Sequence, residues 1–422
     1  MSTNIRILPA LFLLLTISPK AVAPLQQKQD LLTYGITGSE KTDGTRPGFS
    51  SVMSRIEVQK LLLDIANSPR TPEFIDSVLQ ASGVSREDLE KLGLIRQQSD
   101  HYVLSFTLLT SADVRKVREV AETSARSLVA AFLARRKEID ASLNKYQVKE
   151  GDPKAVAYIV FGCFSLDWDG GDLAARKGYR TMPPKEGYIP WAEQKSELSL
   201  KGVYWGSHNE YLPDVVFTSF GDHFSLPRYA FPDLFWKLRQ RLTQTEMPEG
   251  LKSKLVPAAQ QSLSGMMRNA GRLMFTLREG EKSLDEMTKT SGIKPEDTAA
   301  LVAVLEELGY VAQEKGRYRV LIPVFTQRDL PMLEELRRMG ERIIDTWITT
   351  NYDQLKMMLS DITPIRFGVP FAHAFTQIWH YVFGIANRQL VEAGLFGNPY
   401  ADARKYKGFI PVVWHPDVWR FR

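Results

Sequence analysis

Apolar positions along the chain fall into two blocks that match each other. Ile95/Val311, Leu104/Val320, Phe106/Ile322, Val114/Leu330, Val117/Leu333, Val120/Leu336, Leu128/Ile344, Phe132/Ile348 and Ile139/Leu355 all stand 216 positions apart. The same register holds without a gap from Gly93–Leu143 to Gly309–Leu359. It carries identities at Gly93/Gly309, Gln97/Gln313, Tyr102/Tyr318, Thr110/Thr326, Asp113/Asp329, Glu119/Glu335, Arg126/Arg342 and Leu143/Leu359. Core-facing positions are what a diverged duplication retains, because burial constrains them while the surface drifts. Each block opens with two short alternating runs: Leu94 to Leu109 around Ser99-Asp100, and Tyr310 to Phe325 around Glu314-Lys315-Gly316-Arg317. Alternation flanking a turn predicts a hairpin. Apolar residues every three or four positions then predict long helices over Ala112 to Tyr146 and Arg328 to Leu359, each roughly 50 Å at 1.5 Å per residue.

Ahead of the second hairpin, Ser283 begins SLDEMTKTSGIKPEDTAALVAVLEELGYV. A short helix ends at Gly292, and a second opens at Pro295-Glu296-Asp297, where proline and acids suit a helix N-terminus. That helix places Leu301, Val304, Leu305 and Leu308 on one face and stops at Gly309. Helix, turn, helix and hairpin in this order resemble the winged helix-turn-helix domains of MarR- and ArsR-like regulators. The first copy repeats the order over Arg55 to Ala66, Pro72 to Ser82 and Ser85 to Leu92, with its last helix about two turns shorter. Further echoes, Phe161-Gly162 with Phe383-Gly384 and Gly187-Tyr188-Ile189-Pro190-Trp191 with Gly408-Phe409-Ile410-Pro411, lengthen each unit. The expected fold is α+β, mainly α, with pseudo-twofold packing that lets the long helices bury their stripes on one another. Its parts are a signal peptide or anchor at 1–23, a flexible linker at 24–52, unit 1 at 53–194, an aromatic insert and linker at 195–260, and unit 2 at 261–422.

Composition narrows the function only a little. With 44% hydrophobic and 24% charged residues the chain has ample material for a core, and a net charge of +5 over 422 residues makes no strong field for nucleic acid or lipid. Cys163 is the only cysteine, which excludes an intrachain disulfide, a CxxC redox pair and a cysteine-built zinc site. At the N-terminus, Arg6, the apolar run Ile7 to Ile17 and Ala21-Val22-Ala23 read as an export signal, although Pro24 follows the cleavage site awkwardly. Translation from Met53 would instead leave a cytoplasmic protein.

Chemistry is sparse in the motifs. The second helix of the winged-helix resemblance, Lys294 to Leu308, carries one lysine against Glu296, Asp297, Glu306 and Glu307, a poor footprint for phosphates. The second wing, with Lys315, Arg317 and Arg319, is basic enough to touch a nucleic-acid backbone, and the helix Ala112 to Tyr146 also leans basic. Asp167, Asp169 and Asp172 flank Gly170-Gly171, a pattern for a calcium turn or simply for exposed acids. His208 and His223 stand near Glu210 and Asp222 among aromatic residues and could ligate a divalent metal. His373 and His380 read as part of an aromatic core. No HExxH, GxSxG, GxGxxG or Walker sequence occurs. The leading expectation is a non-enzymatic exported binding or scaffold protein, periplasmic or secreted, with a protein partner, no cofactor, and membrane contact only through its N-terminal segment. The alternatives are a cytoplasmic DNA-binding regulator and a metal-dependent hydrolase with its site in 167–223.

Overall fold

Several of the repeated residues have a structural role in both copies. Gly93 and Gly309 take φ +69° and +74°, and their N–H groups close the preceding helix on the carbonyls of Glu90 and Glu306. A left-handed residue at a helix end favours glycine because Cβ would crowd the next carbonyl. Tyr102 exchanges backbone hydrogen bonds with Arg70 as Tyr318 does with Lys282, which ties the segment before the second helix to the hairpin. Thr110 with Asp113, and Thr326 with Asp329, form capping boxes at the start of the long helices. Leu143 and Leu359 are buried. Nothing in the fold explains the identity at Gln97 and Gln313.

The computed structural model describes residues 30–40, 47–146, 152–185, 187–196, 202–222, 230–232, 249–258, 263–401 and 408–419. The export-like segment 1–23, Glu186 and His223 lie outside them. The architecture is α+β and mainly helical. Unit 1 runs β1 (Leu32–Gly38), α1 (Phe49–Met53), α2 (Ile56–Asn67), α3 (Pro72–Leu79), α4 (Arg86–Lys91), β2 (Ile95–Gln98), β3 (His101–Leu104) and β4 (Thr107–Leu109). It continues through α5 (Ser111–Ala134), α6 (Arg136–Leu143), α7 (Pro153–Ala157), a π-helix (Tyr158–Asp169), α8 (Gly170–Arg176) and β5 (Tyr188–Gln194). Then come β6 (Ser207–Tyr211), β7 (Val216–Gly221), α9 (Glu249–Ala258), α10 (Leu263–Arg278), α11 (Leu284–Ser291), α12 (Pro295–Glu307), β8 (Val311–Glu314), β9 (Arg317–Val320) and β10 (Val324–Phe325). A 3₁₀ turn (Gln327–Asp329), α13 (Leu330–Met358), α14 (Thr363–Arg366), α15 (Phe371–Glu392) and β11 (Phe409–Trp414) complete the chain.

Strand pairing shows the repeat to be larger than its sequence signal. In one sheet β5 lies between antiparallel β1 and parallel β4; in the other β11 lies between antiparallel β7 and parallel β10, with β6 added outside β7. Gly38 faces Tyr188 as Gly221 faces Phe409, and Leu109 faces Glu193 as Phe325 faces Trp414. A Cβ on Gly38 would lie 2.5 Å from the Gly187 carbonyl oxygen, and one on Gly221 2.4 Å from that of Gly408. Each unit therefore begins with a strand that sequence reading missed. The expected linker 24–52 contains β1 and all but the last residue of α1, and the expected insert 195–260 contains β7, the counterpart of β1.

Three apolar cores result. One lies under α1–α4 and the first hairpin, one under α9–α12 and the second hairpin, and the largest combines both units. In the largest, the long helices touch, with Trp347 Nε1 donating to Ser127 Oγ at 2.8 Å. Each nevertheless packs most extensively on a helix of the other unit, α5 on α15 and α13 on the π-helix. Gly340 permits the second approach, since a Cβ there would meet Ser165 Oγ at 2.8 Å. The crossing recurs in polar contacts: Tyr146, after the first long helix, exchanges hydrogen bonds with the Val324 backbone, and Thr363, after the second, donates its N–H to Asp113. The first long helix is not continuous. It breaks at Arg135 (φ −100°, ψ 7°), whose N–H turns back to Phe132, and α6 starts afresh at Arg136.

Candidate functional site

Asp167, Asp169 and Asp172 sit where the π-helix passes into α8, in the central core. The expected calcium turn is a helix here. Gly170 and Gly171 serve close packing: a Cβ on Gly170 would meet the Trp379 ring at 2.9 Å, and one on Gly171 the Arg180 guanidinium at 2.3 Å. The carboxylates point to different partners. Asp169 accepts from Arg337 Nη2 at 2.7 Å in a buried pair, and the Arg337 guanidinium lies 4.6 Å over the Trp419 ring and 3.6 Å from Glu341. Asp167 faces His380, Oδ1 to Nε2 at 3.9 Å, and His380 stacks on Trp205 with centroids 4.2 Å apart. Among the described residues no group of three or more His, Cys, Asp or Glu is arranged to hold a metal ion.

Burial sets the electrostatics. It pushes Asp167 up to about 7, against the opposing charge of Arg180. It raises Asp169 to about 6, with the Arg337 charge and hydrogen bond working the other way. Desolvation lowers Arg180 and the half-buried His373, and raises the Cys163 thiol, so the lone cysteine stays an inert apolar residue. Asp167, on the π-helix, thus forms a largely dehydrated acid–base cluster with His380 of α15 and Arg180 beyond α8, and such helix irregularities are found often at functional sites.

His208 lies on β6 opposite Ser219, an edge-strand position one residue from the Ser207 hydroxyl that receives Trp168 Nε1 at 3.4 Å. In the second hairpin, β8–β9, Lys315 is exposed at the tip with φ +49°. Arg317 is committed, donating to the Glu281 carbonyl at 2.6 Å and pairing with Glu286 at 3.1 Å, and Arg319 is partly buried. The three basic residues of this hairpin therefore do not present one exposed basic patch.

Sequence reading passed over Arg337, Arg180 and the pairing of His380. A signal existed for Arg337, an arginine on the apolar stripe of α13 between Leu333, Leu336, Gly340 and Ile344. Contacts across 196 and 213 residues, such as Arg180 to Thr376 and Trp379 to Leu166, leave no local trace. No protein-family model matches the chain, and no curated protein or solved structure does either.

Proposed function

We propose that the protein is a non-enzymatic binding scaffold, acting after export, in which one duplicated chain does the work of a two-fold dimer and holds out two winged-helix modules toward a protein partner. The observation that carries this reading is the crossed packing, α5 on α15 and α13 on the π-helix, which builds one core shared by both units beside two separately cored modules. The winged-helix assignment rests on helix order and on the Arg70–Tyr102 and Lys282–Tyr318 bridges that tie each module's leading segment to its hairpin.

A protein partner is favoured over DNA by charge. Glu296 and Glu306 are exposed on α12, the helix that would enter a major groove, while Arg317 is neutralised by Glu286. Phosphates need uncompensated cations at that surface. Export is supported by Ile7 to Ile17 and Ala21-Val22-Ala23.

The test combines cell fractionation and N-terminal sequencing with a photoreactive residue in place of Ala299, which is exposed on α12. Cross-linking of one protein outside the cytoplasm, lost with Glu296→Lys plus Glu306→Lys, is the expected result. A cytoplasmic chain starting at Met53 and retained on duplex DNA, with retention weakened by Lys315→Glu, would overturn the proposal.

A further inference from the structure

The long helices leave a cleft of about 790 Å³ beside the line where they meet. Its walls include Ala131 and Ala134 of α5, Arg135 at the break after it, and Trp347, Thr350 and Asn351 of α13. These are the same three positions of the repeat, so equivalent stretches of the two copies line the cleft. The copies have diverged there: two alanines of α5 stand where α13 has tryptophan and threonine, and the smaller side chains leave space in the wall. Leu173, Met339 and Ile343 complete a buried apolar floor beside Trp347. The volume lies in the range of small-molecule sites, and an apolar wall with a few polar groups is their usual composition.

Charge specifies the occupant. Four charged residues line the cleft, and three are already compensated: Glu341 by Arg337 at 3.6 Å, Asp345 by Lys177 at 2.9 Å, and Arg135 by Glu138 at 2.8 Å. Arg342 has no ion pair or hydrogen bond among the described residues. One uncompensated guanidinium at the rim of an apolar cleft fits a carboxylate with a hydrocarbon body.

We propose that this cleft binds a small amphipathic monoanion, its apolar body against Trp347, Leu173 and Ile343 and its acid group on Arg342. The site is independent of the protein-binding surface on α12.

Anilinonaphthalene sulfonate fluorescence on the full chain, with decanoate and decanol as competitors, tests it. One saturable site is expected, displaced by decanoate at concentrations at least ten-fold below those needed for decanol. Arg342→Gln should weaken decanoate about ten-fold, equivalent to about 1.4 kcal/mol. Ala134→Trp should abolish binding by filling the cleft, while Arg126→Gln, the same position in the other copy, should leave it unchanged. Near-UV circular dichroism verifies the fold, and the exposed Arg342 keeps the test decisive if Ala134→Trp fails to fold. Equal competition by decanol, native affinity in Arg342→Gln, or native binding in a folded Ala134→Trp variant would overturn the proposal.

Discussion

Arg337→Met is the perturbation that most directly tests the reading of the central core. Methionine keeps much of the arginine's length but removes the hydrogen bond to Asp169 at 2.7 Å and the cation over Trp419 at 4.6 Å. Breaking a buried pair from one side costs about 3–5 kcal/mol, since the remaining charge is left in a poorly solvating medium. The cost must depend on pH. In the native protein Asp169 has been raised from its ordinary 3.8 to about 6. The folded state therefore holds an extra proton between about pH 4 and 6, and this group's contribution is greatest below pH 4 and is lost as pH rises through 6. Without Arg337 the carboxyl moves higher still. The variant should be destabilised by about 3–4 kcal/mol at pH 8 but only about 1–2 kcal/mol at pH 5, where protonation relieves the orphaned charge. Urea unfolding followed by tryptophan fluorescence at both values measures this. Arg337→Met with Asp169→Leu should recover to within about 1 kcal/mol of the native protein, because an apolar pair replaces a dehydrated ionic one. A loss below about 1 kcal/mol at pH 8, or one equal at both pH values, would refute the argument.

Three other outcomes are expected. Asp167→Asn should flatten the decline in melting temperature between pH 4 and 7 and stabilise the protein at pH 7.5, because the native carboxyl, raised to about 7, must ionise in a dry site; an unchanged profile at both ends would count against this. Gly38→Ala and Gly221→Ala should each cost about 2 kcal/mol or more, since both added Cβ atoms collide with a backbone carbonyl; if only one matters in thermal denaturation, the equivalence of β1 and β7 fails. Asp329→Ala should cost about 1 kcal/mol more than Asp113→Ala, because Asp329 also holds the buried Arg278 at 2.7 Å, whereas Asp113 otherwise accepts only the Thr363 N–H; equal urea midpoints would reject the distinction.

The repeat was legible where local geometry demands particular residues. Thr-x-x-Asp at the long-helix caps and glycine at the helix ends and the second hairpin's turn encode conformations that few other side chains provide, so duplication left them visible. β1 and β7 were not legible. LTYGITG and VFTSFG share almost no residues, and both are strands because each pairs antiparallel along an edge of a Gly-aromatic-Ile-Pro strand far along the chain. The break at Arg135 had no proline or glycine to announce it. The acids at Asp167 to Asp172 were visible as a cluster, but their separation was not: a helix fans its side chains out, and the partners Arg337 and His380 come from the other unit.

By itself, then, the sequence determined the α+β class, the two-fold repeat, its helix caps and hairpins, because these follow from periodicity and backbone conformations read over a few residues. Tertiary structure alone decided which unit packs on which, that Asp169 pairs with Arg337, and that a cleft lined by Ala131 and Trp347 opens between the long helices. Those are consequences of dehydration and shape complementarity between segments far apart in the chain, and such energies have no local pattern to read.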